Sequence, residues 1–455
     1  MVLSFRPKVP TQEQTSIPNA FLFLKRYPQF TNYQKRKRLA ATHLVRAVGG
    51  RYIGHLSEAL GARLGARKSA NYEHNMSVEK IDPLLSADMF VGIEGVAHLC
   101  TGGEGPWFRS QEQVYRQFAV WKSEGHDGRD EIYRVGEDCR EKMGQMWGVC
   151  EKRIAFMPSA AEGMGWLARG LDWREGDNVV TTNLEFPSVA YAWRNLESLG
   201  VEIRMVEHKD WRVHEMDLID AIDERTRVLA VSHVSFYTGQ AHNLEQLSEG
   251  VRQNGCLFAV DATHSAGVIR VPAGLTDLTV SSSYKWLLTT HGTAPCYLSE
   301  QAESQIASTC FRWHNLEVWP KQEAIRHSTV DEQPMPERLE PGNPSMQVIM
   351  HLDHSVGILM NLGVDRVENH ARDLAEYASD GLSRQGFKLM SPTEREARSG
   401  NTTFRIENAE EVVAELKKQH ILLWGELGRI RVSTHAHNGT RDLDRLFEAL
   451  KPYAS

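Results

Sequence analysis

Short apolar runs alternate with amphipathic stretches from about residue 152 onward, and this alternation organises the chain. Runs of five to seven residues occupy 153–157, 178–182, 201–206, 227–233, 256–261, 278–282 and 294–298. Between them, helical patterning covers 160–171, 188–199, 217–222 and 244–253. Near-continuous apolar strands separated by helices of this length predict βαβ units and a largely parallel sheet covered on both faces. In such sheets ligands collect beyond the carboxyl ends of the strands. The residues just past each run are therefore the ones to inspect for chemistry.

The flanks read differently. Residues 1 to about 70 form an arm with one amphipathic helix expected over 35–48, closed by Gly49-Gly50, and a second helical stretch over 56–64. A glycine-rich segment, Cys100-Thr101-Gly102-Gly103-Glu104-Gly105-Pro106, follows. It is either a loop near a ligand or an ordinary chain reversal. Charged residues over 111–148 predict helices broken at Gly125-His126-Asp127-Gly128. Past residue 343 the helices lengthen (345–362 and 364–384). A strand at 402–406, a helix at 409–419, a strand at 429–433 and a helix at 441–450 complete a smaller α+β portion. The expected division is a basic extension over 1–90, a large α/β domain over 91–342 and a small domain over 343–455. No internal repeat or low-complexity tract interrupts it.

Composition changes this picture in only two respects. With 455 residues, 41% hydrophobic and 24% charged, the chain has the make-up of an ordinary globular protein of two or three domains. No apolar run approaches the roughly 18 residues of a membrane span. Six cysteines without a CxxC pair form neither a disulfide framework nor a zinc site. A reducing, cytoplasmic setting is expected. The net charge of −7 hides an asymmetry, because residues 1–72 carry 13 Lys+Arg against Glu13 and Glu58, a net +11 that leaves −18 for the remainder. Such a leader reads as an organelle-targeting segment, a nucleic-acid arm or a solvated extension, and the last is preferred. The test of the nucleic-acid reading is salt-dependent binding lost on deleting the leader.

Four strand ends carry candidate chemistry. After 153–157 comes Pro158-Ser159-Ala160-Ala161-Glu162-Gly163, where small residues and a helix start suit a phosphate, although Ser159 also reads as a plain cap. After 178–182 comes Glu185-Phe186-Pro187-Ser188, with Phe186 either core or a plate for a flat ring. The run 256–261 ends in Asp261-Ala262-Thr263-His264-Ser265-Ala266-Gly267. Asp261 there is a loop cap or an acid able to keep a ring nitrogen protonated. After 278–282 comes Ser283-Tyr284-Lys285-Trp286, whose lysine either snorkels or, if buried, gives a free amine that attacks an aldehyde. No GxGxxG follows any run, which counts against a nicotinamide enzyme.

These stretches, with His233-Val234-Ser235, Arg338-Leu339-Glu340-Pro341-Gly342-Asn343-Pro344 and Arg429-Ile430-Arg431-Val432-Ser433-Thr434-His435, resemble the class V aminotransferase family. This group of pyridoxal 5'-phosphate (PLP) enzymes includes cysteine desulfurases, kynureninases and isopenicillin N epimerase-like proteins. The resemblance spans roughly residues 90–455 and implies the type I fold of PLP-dependent transferases. It implies that Lys285 forms the imine with the cofactor and shuttles the Cα proton. Asp261 would pair with the pyridinium nitrogen, and His264 would approach the phenolic oxygen. Ser159, Ala160, Ala161 and Ser282 would hold the phosphate, with Tyr284 nearby. Phe186 would stack on the ring, and Arg431 would take the substrate carboxylate. The loop at Asn343 would reach a neighbouring subunit's phosphate site, implying a homodimer.

The departures carry information too. Desulfurases bear their persulfide cysteine on a loop of the small domain. Here that stretch reads Ile421-Leu422-Leu423-Trp424-Gly425-Glu426-Leu427-Gly428, and no cysteine follows Cys310. Ser235-Phe236 stands where many desulfurases have serine–asparagine, and Ala160-Ala161 replaces threonines. The expected function is therefore a PLP enzyme acting on an amino acid through Cα carbanion chemistry without a catalytic cysteine. A lyase-like, epimerase-like or other Cα/Cβ transformation ranks first and transamination second. The rival of another class is a non-catalytic scaffold on the same fold. No membrane or metal enters this reading.

Overall fold

The computed structural model describes residues 80–309, 311–316 and 331–454. The helices expected over 35–48 and 56–64 lie outside the described residues. From Lys80 on, the described chain belongs to one compact unit, and no helix in it is long and apolar enough to cross a membrane.

The first strand, β1 (Ala97–His98), precedes two helices, α1 (Gln111–Ser123) and α2 (His126–Trp147). Seven strands then build one sheet: β2 (Ile154–Met157), β3 (Asn178–Thr182), β4 (Glu202–Val206), β5 (Thr226–Ser232), β6 (Leu257–Asp261), β7 (Leu278–Val280) and β8 (Ala294–Leu298). Their spatial order is β2-β8-β7-β6-β5-β3-β4, with only β8 antiparallel to its neighbours. Every residue of β3 and β6 is buried. Alternate residues feed opposite faces. Val179, Val228 and Ala230 join one apolar cluster, and Val180, Leu229 and Val231 join another. This period of two is what a doubly covered sheet requires.

Helices cover the sheet where their caps start them. Ser159 caps α3 (Ala160–Gly170) by accepting from Glu162 N at 3.2 Å. Asn243 caps α4 (Leu244–Asn254) by accepting from Gln246 N at 3.0 Å, and Gly255 ends it in the left-handed conformation. The helix expected over 188–199 is instead a single turn, Pro187–Ala190, followed by the 3-10 segment Arg194–Leu199. Its apolar residues, Val189, Trp193 and Leu196, still pack against the sheet. Here the periodicity recorded burial rather than helix continuity.

In the C-terminal portion α5 (Met346–Leu362) packs on α1 and α2, and α6 (Val364–Arg384) continues from it. A three-stranded antiparallel sheet follows, ordered β11-β12-β9, from β9 (Asn401–Arg405), β11 (Trp424–Glu426) and β12 (Arg429–Ser433). Helices α7 (Ala409–Lys418) and α8 (Thr440–Leu450) cover one face. In α8, Leu443, Leu446 and Leu450 fall on one helical stripe and are fully buried, each contributing roughly 1.5–3 kcal/mol.

Two expectations change here. The stretch 421–428, read as a short loop, forms β10 (Ile421–Leu422) and then β11, whose turn to β12 uses Leu427 and Gly428 at positive φ. β10 also pairs in parallel with β1, so the segment before the large sheet contributes a strand to the C-terminal portion. Residues 80–90, counted with the extension in the sequence, are packed as well. Leu84 N and Leu85 N donate to Ala436 O, and Phe90 is fully buried against Phe108 at a centroid distance of 4.5 Å.

Candidate active site

Three strand ends meet in register. Ser232 of β5 pairs with Asp261 of β6, which pairs with Val280 of β7. Side chains just past these residues therefore converge on one cavity of about 190 Å³. Ser159, Ala160, Ala161, Phe186 and Ser282 line it, together with Asp261, His264, Tyr284 and Lys285. Nine of the eleven residues proposed from the sequence are thus brought together.

Lys285 sits on the turn between β7 and β8 and is 7% exposed. Leu288 closes that turn at φ 54°, and its carbonyl accepts from Gln111 Nε2 and Ser355 Oγ, both at 2.9 Å. Two helices thereby clamp an otherwise unfavourable backbone. Burial, reinforced by the Arg431 charge, pulls the Lys285 amine down to about 8, with Asp261 and Glu104 opposing. Its Nζ lies 3.2 Å from His264 Nε2 and over the rings of Phe186 and Tyr284, 5.2 and 5.5 Å from their centroids.

Asp261 is buried, and its carboxyl is pushed above the usual range by that burial. Oδ1 accepts from Thr263 N at 2.8 Å and Oδ2 from the Ser188 hydroxyl at 3.5 Å, with the Thr263 side chain also beside the carboxylate. Among the described residues no cation pairs with it at salt-bridge distance. Thr263 also accepts from Ser282 N at 2.9 Å, tying the two loops together. Glu185, beside Phe186, is held by Ser232 N at 2.7 Å and by the Ser232 hydroxyl, and burial lifts it to about 7. At the other end of the cavity, the first turn of α3 faces Ser282, whose Oγ accepts from Ala160 N at 3.4 Å.

Arg431 and Asn343 do not line the cavity. Arg431, on β12, is 3% exposed and donates through Nη1 to Phe236 O at 2.7 Å, while its Nε is buried without a partner. Burial pulls its pKa to about 10, so it stays charged at neutral pH. Asn343 accepts from Tyr133 Oη at 2.8 Å and lies against α2 instead.

Two contributors had no role assigned to them in the sequence. Asn401 of β9 and Ser433 of β12 are buried and hydrogen-bonded in line with His264. A strand amide is the signal that could have exposed Asn401, since asparagine is depleted in strands. The glycine-rich segment also proves to border the site. Gly105 N donates to Tyr284 O at 3.2 Å, and a Cβ on Gly105 would stand 2.3 Å from Lys285 O. Cys100, in that segment, feels the Arg431 charge, but burial raises its thiol pKa and keeps it neutral.

This donor set suits an aldehyde cofactor that bears a phosphate and a basic ring nitrogen. It offers a buried amine with little proton affinity to spare, a buried carboxylate lacking a counter-ion, and a helix N-terminus for an anion.

Comparison with known proteins leads to the same place. The family model for aminotransferase class-V matches residues 109–446. An uncharacterised aminotransferase of Schizosaccharomyces pombe is 24% identical over 310 residues, covering 66% of this chain and 76% of that protein. A probable cysteine desulfurase of Methanothermobacter thermautotrophicus is 23% identical over 339 residues, covering 70% and 83%. Among solved structures, a cysteine desulfurase of Thermococcus onnurineus superposes with a TM-score of 0.72 at 20% identity, over 79% of this chain and 94% of that one. A C-DES variant with glycine covalently linked to its PLP cofactor superposes at 0.74 and 17% identity, over 81% and 100%. The chain belongs to the aminotransferase class-V family, has the type I fold of its PLP-dependent relatives, and takes pyridoxal 5'-phosphate as its cofactor.

Proposed function

We propose that this PLP-dependent enzyme removes the Cα proton of an amino-acid substrate and completes a lyase-like, epimerase-like or other Cα/Cβ transformation without a cysteine nucleophile. The observation that carries the reading is Lys285: a buried amine with its pKa near 8, 3.2 Å from a neutral histidine and in one cavity with a buried carboxylate that no cation pairs at salt-bridge distance among the described residues.

PLP, when bound, supplies an electron sink for the pair left on Cα. The protein's residues divide the remaining work. Lys285 Nζ is the group that takes and returns the Cα proton, and a pKa near 8 suits a base working close to neutrality. Asp261 holds a proton on the cofactor ring by offering Oδ2, its less occupied oxygen. Ser159, Ser282 and the N–H groups opening α3 would hold the phosphate, and Phe186 would lie against the ring. Arg431 takes the substrate carboxylate through its unpartnered Nε edge, since Nη1 is committed to Phe236 O.

The thiol-free reading rests on two observations. The stretch 421–428, where desulfurases of this family place their cysteine, contains none. Cys100, whose thiol feels the Arg431 charge, is held protonated by burial and is therefore a poor nucleophile. We read residues 91–342 as the cofactor-binding domain and 343–455 as a small domain that carries Arg431. The unit is a homodimer in which Asn343, outside its own chain's cavity, completes the neighbour's phosphate site.

The deciding experiment incubates the PLP-loaded enzyme with a panel of amino acids and follows cofactor absorbance and product mass. An eliminated fragment or an inverted stereocentre supports the proposal, and a keto acid with loss of the amino group to the cofactor assigns transamination instead. A colourless protein that ignores added PLP sinks the catalytic reading altogether.

A further inference from the structure

Ser433 Oγ donates to Asn401 Oδ1 at 2.8 Å, and Asn401 Nδ2 donates to His264 Nδ1 at 3.1 Å. His264 Nε2 then stands 3.2 Å from Lys285 Nζ. These residues come from β12, β9, the loop after β6 and the turn after β7, so one run of contacts joins the C-terminal sheet to the lysine. All four are at least nine-tenths buried, which removes bulk water as an alternative partner and raises the weight of each bond.

Chemistry constrains the direction of every bond along this run. With the amide as oriented, Asn401 only donates to Nδ1, so that ring nitrogen must present its lone pair. Burial, followed by the charges of Lys285 and Arg431, keeps His264 neutral. A neutral ring with Nδ1 bare carries its proton on Nε2. Nε2–H can only donate, and its sole neighbour on the run is Lys285 Nζ, which must then offer a lone pair. A lysine nitrogen without its extra proton has one, and an ammonium does not.

We propose that Asn401, held by Ser433, is a positioning residue that fixes His264 as the Nε2–H tautomer and thereby favours the proton-free form of Lys285. The proposal rests on the reading of Lys285 as the cofactor lysine. It goes beyond that reading because it assigns a role to two residues outside the cavity. Other charged groups facing Lys285 are Arg431, Asp261 and Glu104, and the rings of Phe186, Tyr284 and Trp286 surround the pair. None of them offers Nδ1 a partner. If the Ser433–Asn401 bond served only to tie β12 to β9, the tautomer of His264 would not depend on it.

The test uses the full chain labelled with ¹⁵N-histidine, the His264 signals being identified by their loss in His264→Gln. Two-bond ¹⁵N–¹H couplings report which ring nitrogen carries the proton. The wild type is expected to carry it on Nε2. Asn401→Asp, of the same shape but able only to accept, should move it to Nδ1, and Ser433→Ala, which frees the amide to turn, should give a mixture. In the PLP-loaded enzyme, the pH at which the cofactor absorbance titrates should rise in Asn401→Asp by about one unit, the size of one charge-assisted hydrogen bond. A wild-type proton on Nδ1, or a tautomer unmoved in both variants, overturns the proposal. Failure of the wild type to take up PLP would overturn the reading of the site, and the ring couplings would still decide the role of Asn401.

Discussion

Lys285 Nζ and His264 Nε2 face each other at 3.2 Å inside a pocket that shields both from solvent. Two protonated groups cannot share that separation, and burial settles which way each one yields. The histidine is held neutral well below its usual range, with the lysine charge adding to the effect of burial, and the lysine is left with a pKa of about 8. Above about pH 8 the pair therefore holds an amine rather than an ammonium.

That arrangement has a price in stability, and Lys285→Met measures it. In the folded chain the amine loses its proton near pH 8, while the unfolded chain keeps it to the ordinary lysine value of 10.5. Between those values the unfolded state binds more protons, so stability rises with pH across the window and the folded state is penalised below it. At pH 7 the penalty is about 3 kcal/mol. Methionine keeps the apolar stem without the charge. Cofactor-free Lys285→Met should therefore unfold at a higher urea concentration than wild type at pH 7, with the advantage fading between about pH 8 and pH 10.5. Equal midpoints at pH 7 would mean that the ammonium is solvated in the folded chain.

Asp261→Asn separates stability from chemistry in a similar way. Burial raises the Asp261 carboxyl above its usual range, so the folded state holds its proton more tightly than the unfolded state. Its contribution to stability is present at low pH and is lost as pH rises through the folded value. At pH 7 the isosteric amide should make the cofactor-free protein more stable. The loaded enzyme should lose at least about a hundredfold in kcat, because removing one member of a buried charged pair costs about 3 kcal/mol. Thermal unfolding without PLP and steady-state rates with it are the two measurements. A variant that is both less stable and fully active would remove Asp261 from the site.

Gly105→Ala tests whether the glycine-rich segment must lie against the lysine. The new methyl would stand 2.3 Å from Lys285 O and 3.2 Å from Leu288 Cδ2. The first of these is backbone, which has little freedom to move. Overpacking of this kind costs about 1–3 kcal/mol, and here it would displace the turn that carries Lys285. Gly103→Ala is the control, since its methyl meets Cys100 Sγ at 3.2 Å and nothing of the lysine turn. Urea unfolding together with PLP affinity should show the larger loss for Gly105→Ala in both. Similar losses in the two variants would dissociate the segment from the lysine turn.

Much of this site was legible because parallel strands write their ends into the sequence. Lys285, Asp261, Phe186 and Ser159 each follow an apolar run, and the sheet then places those run ends side by side. Strand boundaries came within two residues for the same reason: buried strands are bounded where burial stops. Three features escaped. The helix expected over 188–199 broke into two short turns because Val189, Trp193 and Leu196 meet the sheet without continuous helix. Strands β10 and β11 are two and three residues long, too short for a period of two to register. Asn401 acts on the site through a tertiary neighbour more than a hundred residues away in the chain, His264. No local pattern carries such information.

Arg431→Lys tests the substrate end of the site. Arg431 is 3% exposed and remains charged, with a pKa of about 10. One of its terminal nitrogens is committed to Phe236 O at 2.7 Å, and Trp424 covers its face with a centroid distance of 5.0 Å. Nε is left buried without an acceptor, which costs about 1–3 kcal/mol in the free protein. A substrate carboxylate taken through the Nε edge would recover that energy, and the planar fork would fix the angle at which the amino acid lies. Lysine keeps the charge but has a single nitrogen, so it must abandon either Phe236 O or the carboxylate, and it cannot hold two parallel bonds. The variant should bind amino acids about tenfold to a hundredfold more weakly, corresponding to about 1.5–3 kcal/mol for a lost charge-assisted bond. PLP affinity should be unchanged, because Arg431 does not line the cavity around Lys285. Spectral titration with the substrate and, separately, with PLP makes both measurements on one preparation. Undiminished amino-acid affinity in Arg431→Lys would show that the carboxylate is held elsewhere.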